Sequence, residues 1–255
     1  MVITSRKNDA VKRFRELLRE KSERDAQGVF AVEGDHLCGE LAGSSFRIIS
    51  VLMTERAQEK YPQTVALLRQ KCGDVTVISG DVAEYISDTK APQGLFAVAE
   101  KSGAPEITGA RRLVLLDGVQ DPGNVGTILR TAEALGFGGA VLSADCADIW
   151  SPKTLRASMG SVLRLPCVIR SLPEQVKVLR NDGFSVYGAM LDESAARLGD
   201  IEFPEKSAVV IGSEGRGISP AVAVECTRAV YIPITGAESL NAAAAAAIIL
   251  WELSK

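Results

Sequence analysis

Histidine and paired cysteines are nearly absent from this 255-residue chain. His36 is the single histidine, and the five cysteines are scattered without any Cys-x-x-Cys pair. Zinc sites and disulfide frameworks need such paired ligands, so we expect no metal site and interpret the cysteines as buried thiols. A serine–histidine–aspartate triad would require His36 to reach the second half of the chain. The sequence therefore argues against metal-dependent and triad-type hydrolysis.

Long apolar runs and a secretory leader are also missing. The most apolar segment, residues 241–253, is alanine-rich, carries a charge near its end and is shorter than the roughly 20 residues that span a membrane. The N-terminal residues are polar and basic, unlike the apolar core of a signal peptide. We therefore expect a cytoplasmic protein with no membrane partner. Hydrophobic residues make up 46% of the chain, enough for a large core.

Charge is distributed unevenly. The formal net charge is −3, which excludes a molecule that is basic throughout. Residues 1–24, however, contain a local excess of basic side chains. A basic helix in this region is suited to contact RNA phosphates. Val11, Phe14 and Leu17 also mark an apolar face typical of an ordinary amphipathic helix, and both interpretations stay open.

Strand and helix patterns alternate along the chain, which predicts an α/β protein. Residues 1–100 form a small α/β domain that carries the basic N-terminal helix. Residues 101–110, with the sequence KSGAPEITGA, lack hydrophobic periodicity and are predicted to be a linker. Residues 111–255 form a second α/β domain with a parallel sheet and right-handed crossovers, in which a helix is predicted at 126–135.

Three blocks in the second half each run from an apolar strand into a polar or glycine-rich turn. They are LVLLDGVQDPGNVGTILRTAEALG at 113–136, VVIGSEGRGIS at 209–219 and YIPITGAESLNAAAAAA at 231–247. Loops that follow the carboxyl ends of parallel strands line the ligand crevice of such sheets. The sequence therefore predicts one shared site.

Each block alone also has a structural interpretation. Asn124 follows a Pro-Gly turn and can cap a helix, as can Ser239 or Asn241 before the alanine run. The glycines around Glu214 permit close backbone approach to a ligand without matching a phosphate-binding motif. Arg130 lies at the edge of an apolar helix face, either as a surface residue or as a ligand for an anionic group.

Taken in order, the blocks resemble the SpoU family of RNA ribose 2′-O-methyltransferases, within the SPOUT superfamily. The resemblance rests on D-x-x-x-D-P-G-N-x-G-x-x-x-R-T-A, I-G-S-E-G-R-G and I-P-I-x-G-x-x-S-L-N, with KTLRASMGSVLRLP between the first two. It covers residues 111–255. Residues 27–100 resemble the N-terminal substrate-binding domain of that family, which is similar to a ribosomal RNA-binding fold, through FAVEG and APQGLFAVAE.

The resemblance implies a C-terminal parallel-sheet α/β domain with a trefoil knot, S-adenosyl-L-methionine as cofactor, and a homodimer. Ala243 stands where family members often carry serine, so any role of that hydroxyl is missing here. The catalytic residues implied are Arg130, Asn124, Glu214, Ser239 and Asn241. The cofactor contacts implied, largely through backbone, are Ser143, Gly188, Ala189, Met190, Ile211, Gly212, Gly217, Ile232, Pro233, Ser239 and Leu240.

The implied reaction transfers a methyl group from the cofactor to a ribose 2′-hydroxyl. Ribosomal RNA is the favoured substrate, because a separate N-terminal domain is suited to a large structured RNA, and transfer RNA is the alternative. Arg130 is interpreted as a phosphate clamp and hydroxyl positioner rather than a base, because a guanidinium stays protonated, and phosphate or water assists proton removal.

Two other classes of protein are alternatives to a methyltransferase. The first is an inactive RNA-binding or ribosome-assembly protein that retains the fold, against which the intact set of Asn124, Arg130, Glu214 and Asn241 argues. The second is a Rossmann-type nucleotide-binding enzyme. The chain lacks the Gly-x-Gly-x-x-Gly turn that such an enzyme requires.

Overall fold

A computed structural model describes residues 2–192, 194–236 and 239–255. Strands and helices alternate through most of these residues, as predicted. The helices are α1 (Asp9–Arg19), α2 (Lys21–Gln27), α3 (Asp35–Gly43), α4 (Glu55–Lys60), α5 (Pro62–Lys71), α6 (Gly80–Ile86), α7 (Pro122–Ala134), α8 (Pro152–Ala157), α9 (Leu172–Asn181), α10 (Pro220–Ala223) and α11 (Ala242–Ser254). The strands are β1 (Val2–Ile3), β2 (Val29–Glu33), β3 (Ile48–Thr54), β4 (Val75–Ile78), β5 (Leu95–Glu100), β6 (Arg112–Asp117), β7 (Ala140–Leu142), β8 (Cys167–Ile169), β9 (Ser185–Ala189), β10 (Ala196–Arg197), β11 (Ser207–Gly212) and β12 (Arg228–Tyr231).

The chain divides into two compact units. The first unit holds the chain up to Ala104 together with Trp150–Leu163, and the second holds Pro105–Ile149 and Arg164–Lys255. The first division therefore falls inside the segment predicted as a linker, residues 101–110. The functional roles assigned to the two domains remain predictions.

The segment Trp150–Leu163 packs as part of the first unit because of an aromatic cluster. The indole of Trp150 stacks on Phe30 with ring centroids 4.5 Å apart and meets Phe46 edge-on at 5.7 Å. Such pairs stabilise a core beyond the area they bury. Leu155 of α8 is also fully buried.

The sheet of the first unit is mixed, with strand order β1-β4-β3-β5-β2. Strands β1, β4 and β3 run parallel, whereas β5 pairs antiparallel with β3 and with β2. Helix α1 covers this sheet with Val11, Phe14, Leu17 and Leu18, all of them buried at helical spacing. The amphipathic interpretation of the basic N-terminal segment is therefore confirmed.

The second unit is built on a seven-stranded sheet in the order β10-β12-β9-β11-β6-β7-β8, in which every pair is parallel. This confirms the predicted parallel-sheet α/β domain. The register places Gly212 opposite Asp117 and Val210 opposite Gly188, so β9, β11 and β6 end at the same edge. The trefoil knot remains a prediction.

Helix α7 begins earlier than the predicted start at residue 126. Asp121 is its N-cap, and its carboxylate accepts a hydrogen bond of 2.9 Å from the backbone N–H of Asn124. Pro122 fits the first helical position because its missing N–H has no partner there in any helix. The Pro-Gly pair is therefore the first turn of the helix rather than a turn before it.

The cysteines are free thiols, but not all of them are buried. Cys38 and Cys72 lie in the core, whereas Cys146, Cys167 and Cys226 are half-buried. Burial raises the pKa of Cys226 to about 11, with a smaller contribution from the nearby carboxylate of Asp117. This thiol therefore stays protonated at neutral pH.

Within the described ranges, no helix is both long and apolar enough to cross a membrane. Those same ranges hold no group of three or more histidine, cysteine, aspartate or glutamate side chains arranged to bind a metal ion.

Candidate functional site

The three sequence blocks meet at one edge of the second unit's sheet. The first block runs through β6 into α7, the second follows β11, and the third follows β12 into α11. Strands β12, β9, β11 and β6 are consecutive neighbours in the sheet and are parallel, so their carboxyl ends open onto the same crevice. The prediction that these loops lie together is correct.

A chain of side-chain hydrogen bonds joins the three blocks. The amide Nδ2 of Asn124 donates to Oε1 of Glu214 at 2.6 Å, and Nδ2 of Asn241 donates to Oδ1 of Asn124 at 3.0 Å. Oδ1 of Asn241 in turn accepts from the backbone N–H groups of Ala243 and Ala244, at 2.9 and 3.2 Å. Residues that lie in three separate segments thus form one connected network.

The direction of every hydrogen bond in this network follows from chemistry. An ionised carboxylate only accepts, so the Asn124 group that meets Glu214 is the NH₂. The remaining carbonyl oxygen of Asn124 therefore accepts from the NH₂ of Asn241, and the oxygen of Asn241 is left to accept from the helix N–H groups. With glutamate at position 214, asparagine at positions 124 and 241 thus supplies the donors and acceptors that these bonds need.

Asn241 is the N-cap of α11, and Ser239 lies outside the helix. The capping interpretation is therefore correct for Asn241, which caps the helix and contacts Asn124 at the same time. The alanines that follow include the buried Ala242, Ala243 and Ala246. Small side chains here let α11 pack closely against its neighbours.

Two acids that the sequence did not single out support the site. Asp117, at the end of β6, is 8% exposed, and its Oδ2 accepts from the backbone N–H of Ser219 at 2.6 Å. This bond ties β6 to the end of the loop that carries Glu214. Asp121 fixes Asn124 through the helix cap described above. Both acids belong to the D-x-x-x-D spacing of the first block. This spacing is the sequence signal from which their role could have been predicted.

The loop that carries Glu214 is a tight turn closed on itself. The backbone groups of Ser213 and Gly217 exchange two hydrogen bonds, of 3.0 and 2.9 Å. Gly217 has a φ of +66°, which favours glycine. A Cβ on Gly212 would collide with the backbone of Gly217, so this position has no room for a side chain. Glu214 therefore projects from a short, sterically fixed loop.

The residues predicted to contact the cofactor lie mainly in neighbouring loops. Gly188, Ala189 and Met190 form the end of β9 and the turn after it, and the Met190 N–H donates to the carbonyl of Val230 in β12 at 3.1 Å. Gly212 and Gly217 bracket the loop after β11. Beyond β12, Ile232 and Leu240 are half-buried, and Pro233 is exposed.

Two of these predicted contacts differ in position from the rest. Ile211 is 3% exposed, so only its backbone is available to a ligand. Ser143 follows β7, which lies beyond β6 from the other loops. Its hydroxyl donates to Asp145 at 2.5 Å and accepts from the Gly118 N–H at 2.9 Å.

Arg130 and Ser239 stand outside the hydrogen-bonded network. Arg130 lies six residues after Asn124 on α7, about 9 Å along the helix axis at the usual rise. Its side chain is exposed, and it makes no hydrogen bond or ion pair with the residues that the structure describes. Ser239 is exposed, and among those residues it has no hydrogen-bond partner. An unpaired arginine at this position is available to bind an anionic ligand.

The crevice has room for ligand groups. A cavity of about 170 Å³ lies between the ends of β6 and β11, lined by Asp117, Asp145 and Arg216 among others. An open depression of about 650 Å³ at the ends of β9 and β12 is lined by Leu191, Asp192, Ala195 and Tyr231. The loops after β9, β11 and β12 present exposed backbone and glycine to this side of the sheet. Such donors and acceptors suit an adenine edge and a small zwitterion, as the cofactor prediction requires.

Family models match two consecutive parts of the chain. Residues 111–251 match the model of the SpoU rRNA Methylase family, and residues 8–97 match the model of the MRM3-like substrate binding domain. The chain belongs to the SpoU rRNA Methylase family. The family predicted from the three blocks is therefore confirmed, and the Rossmann-type alternative is excluded.

Relatives resemble the chain over its full length. The chain is 35% identical to the 23S rRNA (guanosine(2553)-2′-O)-methyltransferase RlmP of Bacillus subtilis, with 98% of each protein covered. The structure of an AdoMet-bound rRNA methyltransferase from Sinorhizobium meliloti superposes with a TM-score of 0.88 at 29% identity, over 99% of this chain and 97% of that one. The SpoU methyltransferase AviRb from Streptomyces viridochromogenes, in complex with AdoMet, gives a TM-score of 0.84 at 28% identity, over 97% of each chain.

Proposed function

We propose that this protein transfers a methyl group from S-adenosylmethionine to a ribose 2′-hydroxyl of ribosomal RNA. The observation that carries the proposal is the network of Glu214, Asn124 and Asn241, which joins the three family blocks into one site. Membership of the SpoU family makes the protein a methyltransferase. When bound, S-adenosylmethionine supplies a methyl group that is already electrophilic.

The cofactor is held by the loops after β9, β11 and β12. Gly188, Ala189 and Met190, after β9, lie between the turn from Gly212 to Gly217, which follows β11, and the start of the loop after β12 at Ile232. Their contribution is largely through backbone groups, because glycine and short loops let a ligand approach the main chain. Ser143 acts from the neighbouring strand β7, where its hydroxyl orders the turn next to the crevice.

The residues around the crevice orient the nucleophile rather than supply a strong base. Arg130 binds the phosphate next to the target ribose, since its guanidinium has no partner among the described residues and matches phosphate geometry. Asn124, Glu214 and Asn241 hold the helices and the loop that face the ribose, and Ser239 contributes a hydroxyl at the rim. Alignment of the hydroxyl for attack supplies much of the rate enhancement, and phosphate or water accepts the proton.

Ribosomal RNA is the substrate that the relatives favour. The names of the Bacillus subtilis and Sinorhizobium meliloti proteins specify rRNA, whereas a Synechocystis relative that is 36% identical is named a tRNA/rRNA methyltransferase. The first unit, which matches a substrate-binding domain, holds the RNA. Transfer RNA is the alternative substrate, and the cytoplasm is the location that we propose for either reaction.

The protein acts as a homodimer. Along α11, Ala244, Ile248 and Trp251 are exposed at helical spacing, and Trp251 is 58% and Ile248 42% exposed. Aromatic side chains on a solvent-facing helix are typical of interface centres. A second copy of this chain that packs on α11 buries them.

The decisive experiment measures methyl transfer from labelled S-adenosylmethionine to purified RNA. We expect label in ribosomal RNA that lacks the modification, and a single new 2′-O-methyl nucleotide when cellular RNA is mapped with and without the protein. Label in transfer RNA instead would select the alternative substrate. Cofactor binding without methyl transfer to either RNA would support the alternative that the protein is an inactive RNA-binding protein.

A further inference from the structure

The first unit contains a cavity of about 810 Å³ to which none of the three blocks of the second unit contributes a residue. It lies among the end of β3, the end of β4 and the segment of residues 90–94. Its volume is within the usual range for pockets that hold a small molecule or a nucleotide. All the residues that line it belong to the first unit.

Three cations line this cavity without forming ion pairs. Arg56, Lys60 and Lys90 are exposed, and none of them makes a hydrogen bond or an ion pair with the residues that the structure describes. Two acids, Glu55 and Glu84, line the same cavity, so the cations outnumber the carboxylates by one among its lining residues. Unpaired cations around a concave surface attract phosphate groups.

An aromatic ring lies among these cations. Tyr61, between α4 and α5, is half-buried and lines the cavity, and the ammonium of Lys60 is 5.2 Å from its ring centroid. Aromatic rings next to basic side chains are the usual platform for an unpaired base, because the base stacks while its phosphates meet the cations. The chemistry of the cavity thus fits a nucleotide better than a bare anion.

The wall formed by residues 87–94 is held in place from the neighbouring strand β2. The carboxylate of Glu33 is buried and accepts from the Ser87 hydroxyl, from the Thr89 hydroxyl at 2.8 Å and from the Asp88 N–H at 3.0 Å. At the other end of the segment, Oε1 of Gln93 accepts from the Asp35 N–H at 2.7 Å.

These bonds fix the segment that carries Lys90 before any ligand arrives. A wall that is already ordered costs less conformational entropy on binding, so preorganisation increases affinity. Burial of a carboxylate costs free energy unless the carboxylate is hydrogen-bonded. Glu33 accepts hydrogen bonds from three donors, which offset this cost.

We propose that this cavity binds one unpaired nucleotide of the RNA substrate, with its base on Tyr61 and its phosphates on Arg56, Lys60 and Lys90. The inference rests on the proposed function, because it assigns a second contact to the RNA that is methylated. The contact is formed by the first unit alone and does not use the basic face of α1.

The test compares Tyr61→Leu, the double variant K60Q/K90Q and the control Lys71→Gln in the full-length protein. Lys71 is an exposed cation at the end of α5 that does not line the cavity. The probe is a transcript of unmodified 23S ribosomal RNA, and the readouts are the RNA KM, kcat and the Kd for S-adenosylmethionine. Circular dichroism checks that each variant is folded.

We expect Tyr61→Leu to raise the RNA KM by roughly fivefold or more, since the loss of one base–aromatic stack has an effect of this order. The double variant should raise the RNA KM and reduce the slope of log KM against log salt by about 0.7 for each phosphate that the protein no longer binds. Cofactor affinity and kcat should stay at the wild-type value, as should every parameter of Lys71→Gln.

An unchanged RNA KM in both cavity variants, with wild-type protein active on the transcript, would overturn the assignment of the cavity and leave the proposed function intact. Equal KM increases in K60Q/K90Q and in Lys71→Gln, with no increase in Tyr61→Leu, would also overturn it, because they would reflect charge alone. A wild-type protein that methylates neither ribosomal nor transfer RNA would instead overturn the proposed function itself.

Discussion

The side-chain amide of Asn241 donates a 3.0 Å hydrogen bond to the side-chain oxygen of Asn124, which lies 117 residues earlier in the chain. The bond joins the first turns of α7 and α11. Asn124 also donates to Glu214, so each of its polar atoms has a specific partner. Any change of charge or polarity at Asn124 therefore affects all three blocks of the site.

Replacement of Asn124 by aspartate should disrupt this network. The new carboxylate would face that of Glu214 and repel it, so we expect a loss of about 1–3 kcal/mol in the free energy of unfolding, with a strong loss of methyl transfer. Activity should recover partly as the pH is lowered, because one of the two carboxyl groups then binds a proton.

The double variant N124D/E214Q is the matched control for this prediction. The glutamine amide donates to the new carboxylate, so the bond is restored with its polarity reversed. Thermal unfolding should return close to the wild-type midpoint. A double variant as unstable as Asn124→Asp would show that repulsion between the carboxylates is not the cause.

Two roles of Asn241, the capping of α11 and the hydrogen bond to Asn124, can be tested separately. Asn241→Asp keeps an acceptor for the N–H groups of α11 but removes the NH₂ that binds Asn124. We expect a smaller loss of thermal stability than in Asn124→Asp, because the cap is retained, together with a reduced kcat. Asn8→Ala, which removes the asparagine cap of α1, should cost about 1 kcal/mol of stability without a change in kcat. Equal kcat for Asn241→Asp and wild type would reduce the role of Asn241 to capping.

Arg130→Ala should abolish methyl transfer while cofactor binding is retained. The arginine is exposed and unpaired among the described residues, so its removal should leave folding unchanged but lower kcat/KM by roughly 100-fold or more, the scale seen for loss of a transition-state donor. Arg111→Ala is the control, since Arg111 pairs with Glu205 before the amino end of β6. Isothermal titration with S-adenosylmethionine and transfer assays on RNA separate the two effects, and full activity in Arg130→Ala would contradict the proposed role.

Gly212→Ala should damage the cofactor loop, whereas Gly215→Ala should not. A methyl group on Gly212 meets the backbone of Gly217, while one on Gly215 meets no atom within 4 Å. Overpacking of this kind costs about 1–3 kcal/mol, so we expect a lower unfolding midpoint and weaker S-adenosylmethionine binding for Gly212→Ala alone. Equal affinities in the two variants would indicate that the turn adapts without cost.

Trp251→Glu should convert the proposed homodimer into a monomer. A charge at the centre of an apolar interface is strongly unfavourable because it is desolvated without a partner. Val178→Glu is the matched control, since Val178 is an exposed apolar residue on α9. Light scattering after size-exclusion chromatography measures the mass of each. A dimer that persists in Trp251→Glu would place the interface elsewhere.

The family, the parallel sheet of the second unit and the convergence of the three blocks could be predicted from the sequence. Apolar strands that run into polar turns have a clear local pattern, and parallel topology then brings their ends together. The direct bonds of Asn124 to Glu214 and Asn241 required the fold. The catalytic and cofactor roles, the knot and the homodimer remain predictions.

Other features depend on long-range packing that local patterns do not reveal. Asp117 is a residue of a D-x-x-x-D motif, yet its bond to Ser219 joins positions 102 residues apart. Helix α7 begins early because Asp121 caps it. An aspartate before a Pro-Gly pair is equally compatible with a turn, so the sequence did not reveal this start. Strands β1 and β10 have only two residues each, and they form because they pair with β4 and β12.

The segment Trp150–Leu163 also bears on how the protein is made. Because Trp150 completes the aromatic core against Phe30, the first unit lacks part of its interior until this segment has left the ribosome. By then β6 and β7 of the second sheet have already been synthesised. The first unit therefore completes its core only after these two strands have been made, and we expect a truncated chain that ends in the linker to expose Phe30 and Phe46 to chaperones and proteases.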